Sequence, residues 1–348
     1  MRTAVDLKGL LKGLMDHDAL PPAAVEGFFG ALMEGAVDDV HAAAVLVALR
    51  MKGETGVELA AAARAMRARA VRVPLASPQA AVDTCGTGGD GADTINISTA
   101  AALVTAAAGV PVAKHGNRSV SSRCGSADVL EACGVRLGLS AEALGALVDE
   151  IGIAFLFAPP LHPAMRAVMP VRRALGVRTT FNLLGPLTNP AGVRRQVVGV
   201  WGVQVQMLVA EALAELDAAH ALVVHSADGL DELSVAAPTT VVEVRDGHVN
   251  SRYEVDPRAV GIKVEDDRTL AGGDVEFNAE RLRAVLAGEH SAASEAVALN
   301  AGAALYVGGA AHGIEDGVAM AREVLHSGRS AALLERLANR SQEHSQGE

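Results

Sequence analysis

From about residue 80 the chain repeats one pattern: a short apolar run, a polar loop, then a helical stretch. The runs are AAVDTC (80–85), GVPVAKH (109–115), IAFLFAP (153–159), QVVGVWGV (196–203) and HALVVHS (220–226). Apolar runs this short, alternating with helices, specify βα units and a mostly parallel sheet. Residues 1–72 follow a different grammar, helical throughout, as in AAAVLVALRMKGETGVELAAAARAMRARA. There Thr55-x-x-Glu58 is a capping box that starts a helix after Gly53, and Val73-Pro74 closes the unit. Its alanine-rich faces suit packing on another helix layer or on a second copy of the chain.

The expected fold is therefore α/β: a small N-terminal helical domain (1–72) and a larger α/β domain (75–338) with a mostly parallel central sheet. The helical segment at about 163–180 is expected to pack on the first domain. Asp246-Gly247, between the β-rich halves of TVVEVRDGHVNSRYEVD, predicts a hairpin added to the sheet. Residues 339–348 read as a frayed tail.

Charge and composition remove several function classes. The 348 residues carry 30 Lys and Arg against 41 Asp and Glu, a net −11 that gives no general attraction for nucleic acid or an anionic membrane. An anionic ligand must be caught locally. Asp6, Lys8 and Lys12 interrupt the apolar character of MRTAVDLKGLLKG, and no apolar stretch approaches the roughly 20 residues of a membrane span. The expectation is a cytoplasmic protein without a membrane segment. Cys85, Cys124 and Cys133 form no C-x-x-C pair and read as reduced thiols rather than zinc ligands.

The carboxyl ends of strands in an open parallel sheet are where ligands gather, and each polar cluster follows an apolar run. Residues 83–99, DTCGTGGDGADTINIST, place glycines at Gly86, Gly88, Gly89 and Gly91. The literal G-x-G-x-x-G is not a dinucleotide fingerprint: its helix, expected over 100–108, does not open at the third glycine, and no ribose-binding acid follows about 20 residues later. What remains is bare backbone able to approach a phosphate, then Thr94, Asn96, Ser98 and Thr99 at a helix start. Asp90 and Asp93 are the unexpected acids of this loop.

Three further stretches carry chemistry. KHGNRSVSSRCGSADVLEACG supplies Lys114, His115, Asn117, Arg118 and a run of serines ahead of a helix expected from Ser126. VVHSADGLDELS brings Asp231 and Glu232, two hard oxygen donors suited to Mg²⁺ beside a phosphate. HPAMRAVMPVRRALGVRTTFNLLGPLTNP carries Arg166, Arg172, Arg173 and Arg178, and one arginine turned into the cleft would grip a carboxylate in bidentate fashion. Spacing alone does not choose which.

These stretches, in this order across essentially the whole chain, resemble the anthranilate phosphoribosyltransferase family. The resemblance implies transfer of a phosphoribosyl group from 5-phosphoribosyl 1-diphosphate to anthranilate in tryptophan biosynthesis, with Mg²⁺ and release of diphosphate. It also implies a homodimer formed through the helical part. By position, Gly86, Gly89, Asp90, Thr94, Asn96, Ile97, Ser98, Thr99, Lys114, His115, Gly116, Asn117, Arg118, Ser119, Val120, Ser121, Ser122 and Ser126 would hold the donor. Ser98, Asp231 and Glu232 would bind the metal; Gly86, Asn117 and Arg172 would bind anthranilate, with His115 and His162 near it. Two other readings stay open on sequence: a pyrimidine nucleoside phosphorylase, which would not need both DGLDE and VRRALGVRT, and a non-catalytic nucleic-acid-binding relative, which the acidic charge disfavours.

Overall fold

The expected capping box forms. Thr55 Oγ1 accepts from Glu58 N at 3.2 Å, and Glu58 Oε2 accepts from Thr55 N at 2.8 Å. This cap opens the last of four N-terminal helices, α1 (Leu7–Met15), α2 (Pro22–Met33), α3 (Asp39–Lys52) and α4 (Gly56–Arg67). The fold is described from a computed structural model, over residues 5–119, 123–263 and 270–346.

The βα alternation follows as β1 (Val82–Asp83), α5 (Ile97–Ala107), β2 (Val112–Gly116), α6 (Ser126–Ala132), α7 (Ala141–Ile151) and β3 (Ile153–Phe157). The excursion expected to touch the helical domain comprises α8 (Ala158–Leu161), a 3₁₀ turn (Pro163–Ala167), α9 (Met169–Leu175) and α10 (Phe181–Leu187). Its 3₁₀ turn packs on α2, α9 on α3 and α10 on α4. The chain returns through β4 (Arg195–Gly199), α11 (Val203–Glu215), β5 (His220–Ser226), β6 (Thr239–Arg245) and β7 (His248–Val255). It closes with α12 (Val275–Leu286), α13 (Ala292–Gly308), α14 (Ile314–His326) and α15 (Arg329–Gln346).

The seven strands lie in the order β3-β2-β1-β4-β5-β6-β7. Strands β1 to β5 pair parallel, and β6 and β7 add the expected antiparallel hairpin. Asp246 and Gly247 turn it with φ of 47° and 74°, both in the left-handed region that a two-residue hairpin turn demands. After β1 the chain moves to β2 and β3 on one side and comes back to β4 on the other. The carboxyl ends of β1 and β4 therefore flank the crevice at the topological switch point.

Neighbouring residues on the strands go to opposite faces. Val197, Leu222, Val224 and Val241 join a core with α5, α7, α13 and α15. Val198, Ala221, Val223 and Val242 join the other, which continues through α11 into the N-terminal helices. At that junction α4 buries Ala60, Ala61, Ala62 and Ala63 and packs against α11. The helical domain has no core of its own apart from the sheet.

The end of the chain departs from expectation. Residues 339–346 are not frayed but continue α15, because Ser341 is fully buried and its Oγ accepts from Arg136 N at 2.8 Å. Arg340 adds an ion pair to Glu150.

Candidate active site

The glycine loop leaves a strand only two residues long and is pinned to the end of β4. Thr87 N and Thr87 Oγ1 both donate to Gly199 O, at 2.8 and 3.2 Å. Gly88, Gly89 and Gly91 have φ of 66°, 81° and 77°, conformations that side-chain-bearing residues avoid. Asp90 ties this loop to the acidic pair, its Oδ2 accepting from Asp231 N at 3.3 Å. Asp93 acts through its backbone, with φ 47° and a carbonyl that accepts from Gly272 N at 2.7 Å.

Helix α5 starts at Ile97, earlier than the expected 100. Thr94 bridges to Ala271, and Asn96 donates to Cys124 O at 3.2 Å while accepting from Asn278 at 3.1 Å. Ile97 and Thr99 turn their side chains into the core, where Thr99 Oγ1 has no partner among the described residues. Ser98 N donates to Glu232 Oε1 at 3.2 Å, so the start of α5 touches the acidic pair directly.

The second loop leaves β2. Lys114 is buried and donates to Thr84 O and Oγ1, both at 3.2 Å. At Gly116 a Cβ would fall 2.5 Å from Ser126 Oγ, so only glycine lets the loop lie this close to α6. The cap of α6 is Gly125 rather than Ser126: Asp128 Oδ2 accepts from Gly125 N at 2.9 Å, and Ser126 Oγ instead donates to Asn117 O at 3.2 Å. Arg118 is held by Asp128 and Glu131 at 2.7 and 2.8 Å, and Ser119 N donates to Asp128 at 3.3 Å. Val120, Ser121 and Ser122 lie outside the described residues.

Asp231 and Glu232 follow β5 but start no helix. Burial, then the charges of Glu232 and Asp90, push the Asp231 carboxyl well above its usual range. Burial pushes Glu232 up to about 7, against the pull of the Lys114 ammonium and Ser98.

The opposite wall comes from the excursion between β3 and β4. His162 Nε2 lies 3.2 Å from His115 Nε2, and His115 Nδ1 lies 3.1 Å from Gly185 O. A carbonyl only accepts, so His115 carries its proton on Nδ1 and His162 on Nε2. That leaves His162 Nδ1 as a buried acceptor without a partner among the described residues. Burial lowers His115 to about 3, helped by the neighbouring His162, and His162 to about 4. Of the four arginines, Arg172 is half-buried with its guanidinium 5.7 Å from the centre of the Phe181 ring. Arg178 stacks on Trp201 at 4.5 Å and donates to Gly89 O. Arg166 and Arg173 are exposed at the rim.

Ser98, Lys114, His115, Asn117, His162, Arg172, Arg178 and the two acids line one cleft of 1420 Å³. Three contributors are missing from the sequence reading. Gly199 accepts the Thr87 bonds, and a Cβ there would fall 1.4 Å from Asp231 O. Asn300, in the apolar α13, grips the backbone next to the acids, accepting from Leu233 N at 3.0 Å and donating to Leu233 O at 2.9 Å. Asp83 accepts from His115 N at 3.1 Å and Asn189 Nδ2 at 2.8 Å. The signal for Asn300 was one amide in an alanine-rich helix, and Gly199 gave none beyond being a glycine at a strand end.

A helical bundle joined to a parallel α/β domain, with a glycine-rich loop and an acidic pair at the switch point, defines a glycosyltransferase architecture. Residues 8–70 match the glycosyl transferase family, helical bundle domain, and residues 78–331 the glycosyl transferase family, a/b domain. The chain belongs to the anthranilate phosphoribosyltransferase family. It is 47% identical to the anthranilate phosphoribosyltransferase of Halorhodospira halophila over 98% of this chain and 100% of that one. It is 50% identical to that of Rubrobacter xylanophilus, over 95% and 96% of the two chains. The crystal structure of the Thermus thermophilus enzyme superimposes with a TM-score of 0.90 at 47% identity, covering 96% of this chain and 99% of that one. At 24% identity the fold extends to the Saccharomyces cerevisiae enzyme, solved in complex with PRPP and Mg, with a TM-score of 0.88.

Proposed function

We propose that this chain transfers the phosphoribosyl group of 5-phosphoribosyl 1-diphosphate to the amino nitrogen of anthranilate, releasing diphosphate, as a step of tryptophan biosynthesis. The observation that carries this reading is the convergence in one cleft of a glycine loop bound to an acidic pair and a wall bearing Arg172 and two neutral histidines. The first half suits a metal-bound diphosphate ester and the second a flat aromatic acid.

Ser98, Asp231 and Glu232 would hold Mg²⁺. The donor set fits: two hard carboxylates lie half-buried side by side at the cleft, a repulsion that a divalent cation removes, and Ser98 touches one of them. Among the described residues no group of three or more His, Cys, Asp or Glu side chains is arranged to hold a metal. That suits Mg²⁺, which completes its shell with water and substrate phosphates. When bound, Mg²⁺ supplies charge neutralisation on the leaving diphosphate.

Gly88, Gly89 and Gly91 give the backbone of the loop close access to the diphosphate, and N–H groups held in place before reaction stabilise the charge that develops there. Arg172 orients anthranilate through its carboxylate, so that the amine meets the anomeric carbon without a search. Because an aromatic amine is a weak nucleophile, bond breaking to diphosphate runs ahead of bond making, with oxocarbenium character at the anomeric carbon. The chain acts as a cytoplasmic homodimer through its helical domain. Among the described residues no helix is long and apolar enough to cross a membrane.

The test follows anthranilate fluorescence with 5-phosphoribosyl 1-diphosphate and Mg²⁺, with and without chelator. Fluorescence must fall only with donor and metal together; a chain that leaves anthranilate untouched refutes the reading.

A further inference from the structure

The cations of the cleft are not in equivalent situations. Arg118 is paired with Asp128 and Glu131, and Lys114 is buried against Thr84 with Glu232 nearby. Among the described residues Arg178 meets only a neutral carbonyl, Gly89 O, and the face of Trp201, and its side chain is exposed. No carboxylate of the described residues pairs with it.

Its position relative to the loop is defined by two glycines. A Cβ on Gly86 would lie 3.4 Å from Asp231 Oδ2, and one on Gly89 would lie 3.2 Å from Arg178 Nη2. The glycine loop thus meets a carboxylate at Gly86 and a guanidinium at Gly89. The C=O and N–H of one trans peptide point in opposite directions. With Gly89 O turned to Arg178, the N–H of Asp90 faces away from it. An anion resting on this loop meets the metal-binding acids and, at Gly89, a fork of N–H donors that no carboxylate of the described residues neutralises.

We propose that Arg178 is a second cationic ligand of the diphosphate leaving group, taking charge where the glycine loop passes Gly89. The assignment rests on the transfer reading above. As the bond from the anomeric carbon to the diphosphate oxygen breaks, its electron pair stays on the diphosphate, and Arg178 bonds more strongly to that oxygen set than to the Gly89 carbonyl it gives up. Arg178 follows Arg172 on one segment, so the element that orients the acceptor also binds the leaving group.

Trp201 is the one tryptophan of the chain, and its ring reports on the guanidinium above it. Donor with Mg²⁺, without anthranilate, is titrated by calorimetry and by tryptophan emission into wild type, Arg178→Met and Arg178→Lys. Wild-type emission changes on binding and that of Arg178→Met does not; donor Kd rises about tenfold or more in Arg178→Met and by less in Arg178→Lys. Inhibition by free diphosphate weakens in parallel, the anthranilate KM stays within about twofold, and added guanidinium ion restores part of the lost kcat/KM. A folded Arg178→Met with wild-type donor Kd and diphosphate inhibition overturns the assignment. Should that variant melt early, Arg178→Lys decides, and wild-type donor affinity there overturns it equally. Failure of the wild type itself to respond to donor and metal would instead strike at the transfer reading.

Discussion

His162 Nε2 lies 3.2 Å from His115 Nε2, and because His115 Nδ1 is committed to Gly185 O, the protonation of both rings is fixed by one carbonyl. Both imidazoles stay neutral well below the range in which histidine ordinarily titrates, at about 3 for His115 and about 4 for His162. Nitrogen-detected NMR at pH 6 should show His115 protonated on Nδ1 and His162 on Nε2. An unfolded chain takes up protons on these rings as pH falls through about 6.5, whereas the folded chain refuses them until about 4. The pair therefore costs stability as pH falls across that window. Asp83, pushed up to about 6, works the other way, so the measurement is the difference in Tm slope between wild type and His162→Gln. The variant should have the shallower loss; an equal slope would refute neutral burial of the ring.

Arg172→Ala should raise the anthranilate KM by about tenfold or more, as expected for loss of a bidentate carboxylate contact. The donor KM should change by less than about twofold. Steady-state kinetics with each substrate varied in turn checks the split.

Asp231→Asn should move stability and activity in opposite directions. It removes an acid whose ionised form is disfavoured beside Glu232 and Asp90, so the metal-free protein should melt about 2 °C higher, or at least no lower. It also removes a proposed metal ligand, so Mg²⁺-dependent turnover should fall about 100-fold or more. Calorimetry without Mg²⁺ and a Mg²⁺ titration of the rate together test this. Unchanged metal dependence would leave the acids as a structural pair.

Gly199→Ala is expected to be more damaging than any substitution on the cleft surface. The new methyl would sit 1.4 Å from Asp231 O, so β4 and the acidic loop must part. A loss of about 3 kcal/mol in stability, with turnover close to background, is the expected outcome in chemical denaturation and rate measurements. Wild-type stability would show that the two backbones are not in contact.

Much of this was legible because short apolar runs and glycine-rich loops act locally. The strand runs, the capping box at Thr55 and Glu58, and the Asp246-Gly247 turn each depend on residues within a few positions of one another. The site was legible to the extent that its loops follow strands. What stayed hidden depends on distant partners. Asn300 reaches the acids from a helix 67 residues later, and Ser341 anchors the last helix by a bond to Arg136 across 205 residues. No local pattern encodes either. Arg178 was visible as one of four arginines, but only its stacking on Trp201 and its bond to the glycine loop separate it from Arg166 and Arg173 at the rim.

The four consecutive alanines that α4 buries, Ala60 to Ala63, give a low-relief surface to a helix packed between α2 and α11. Long side chains interlock like teeth, and sliding past one another would require each to leave its rotamer. Methyl groups fill little depth, so α4 lies close to its neighbours and the core it joins runs from the helical layer through α11 into the sheet without a break. The approach to α11 is tightest at the start of α4, where a Cβ on Gly56 would fall 2.3 Å from Glu211 Cβ. The wall bearing Arg172 packs on the helical layer and the glycine loop leaves the sheet, so this one shared core holds the two sides of the cleft against each other.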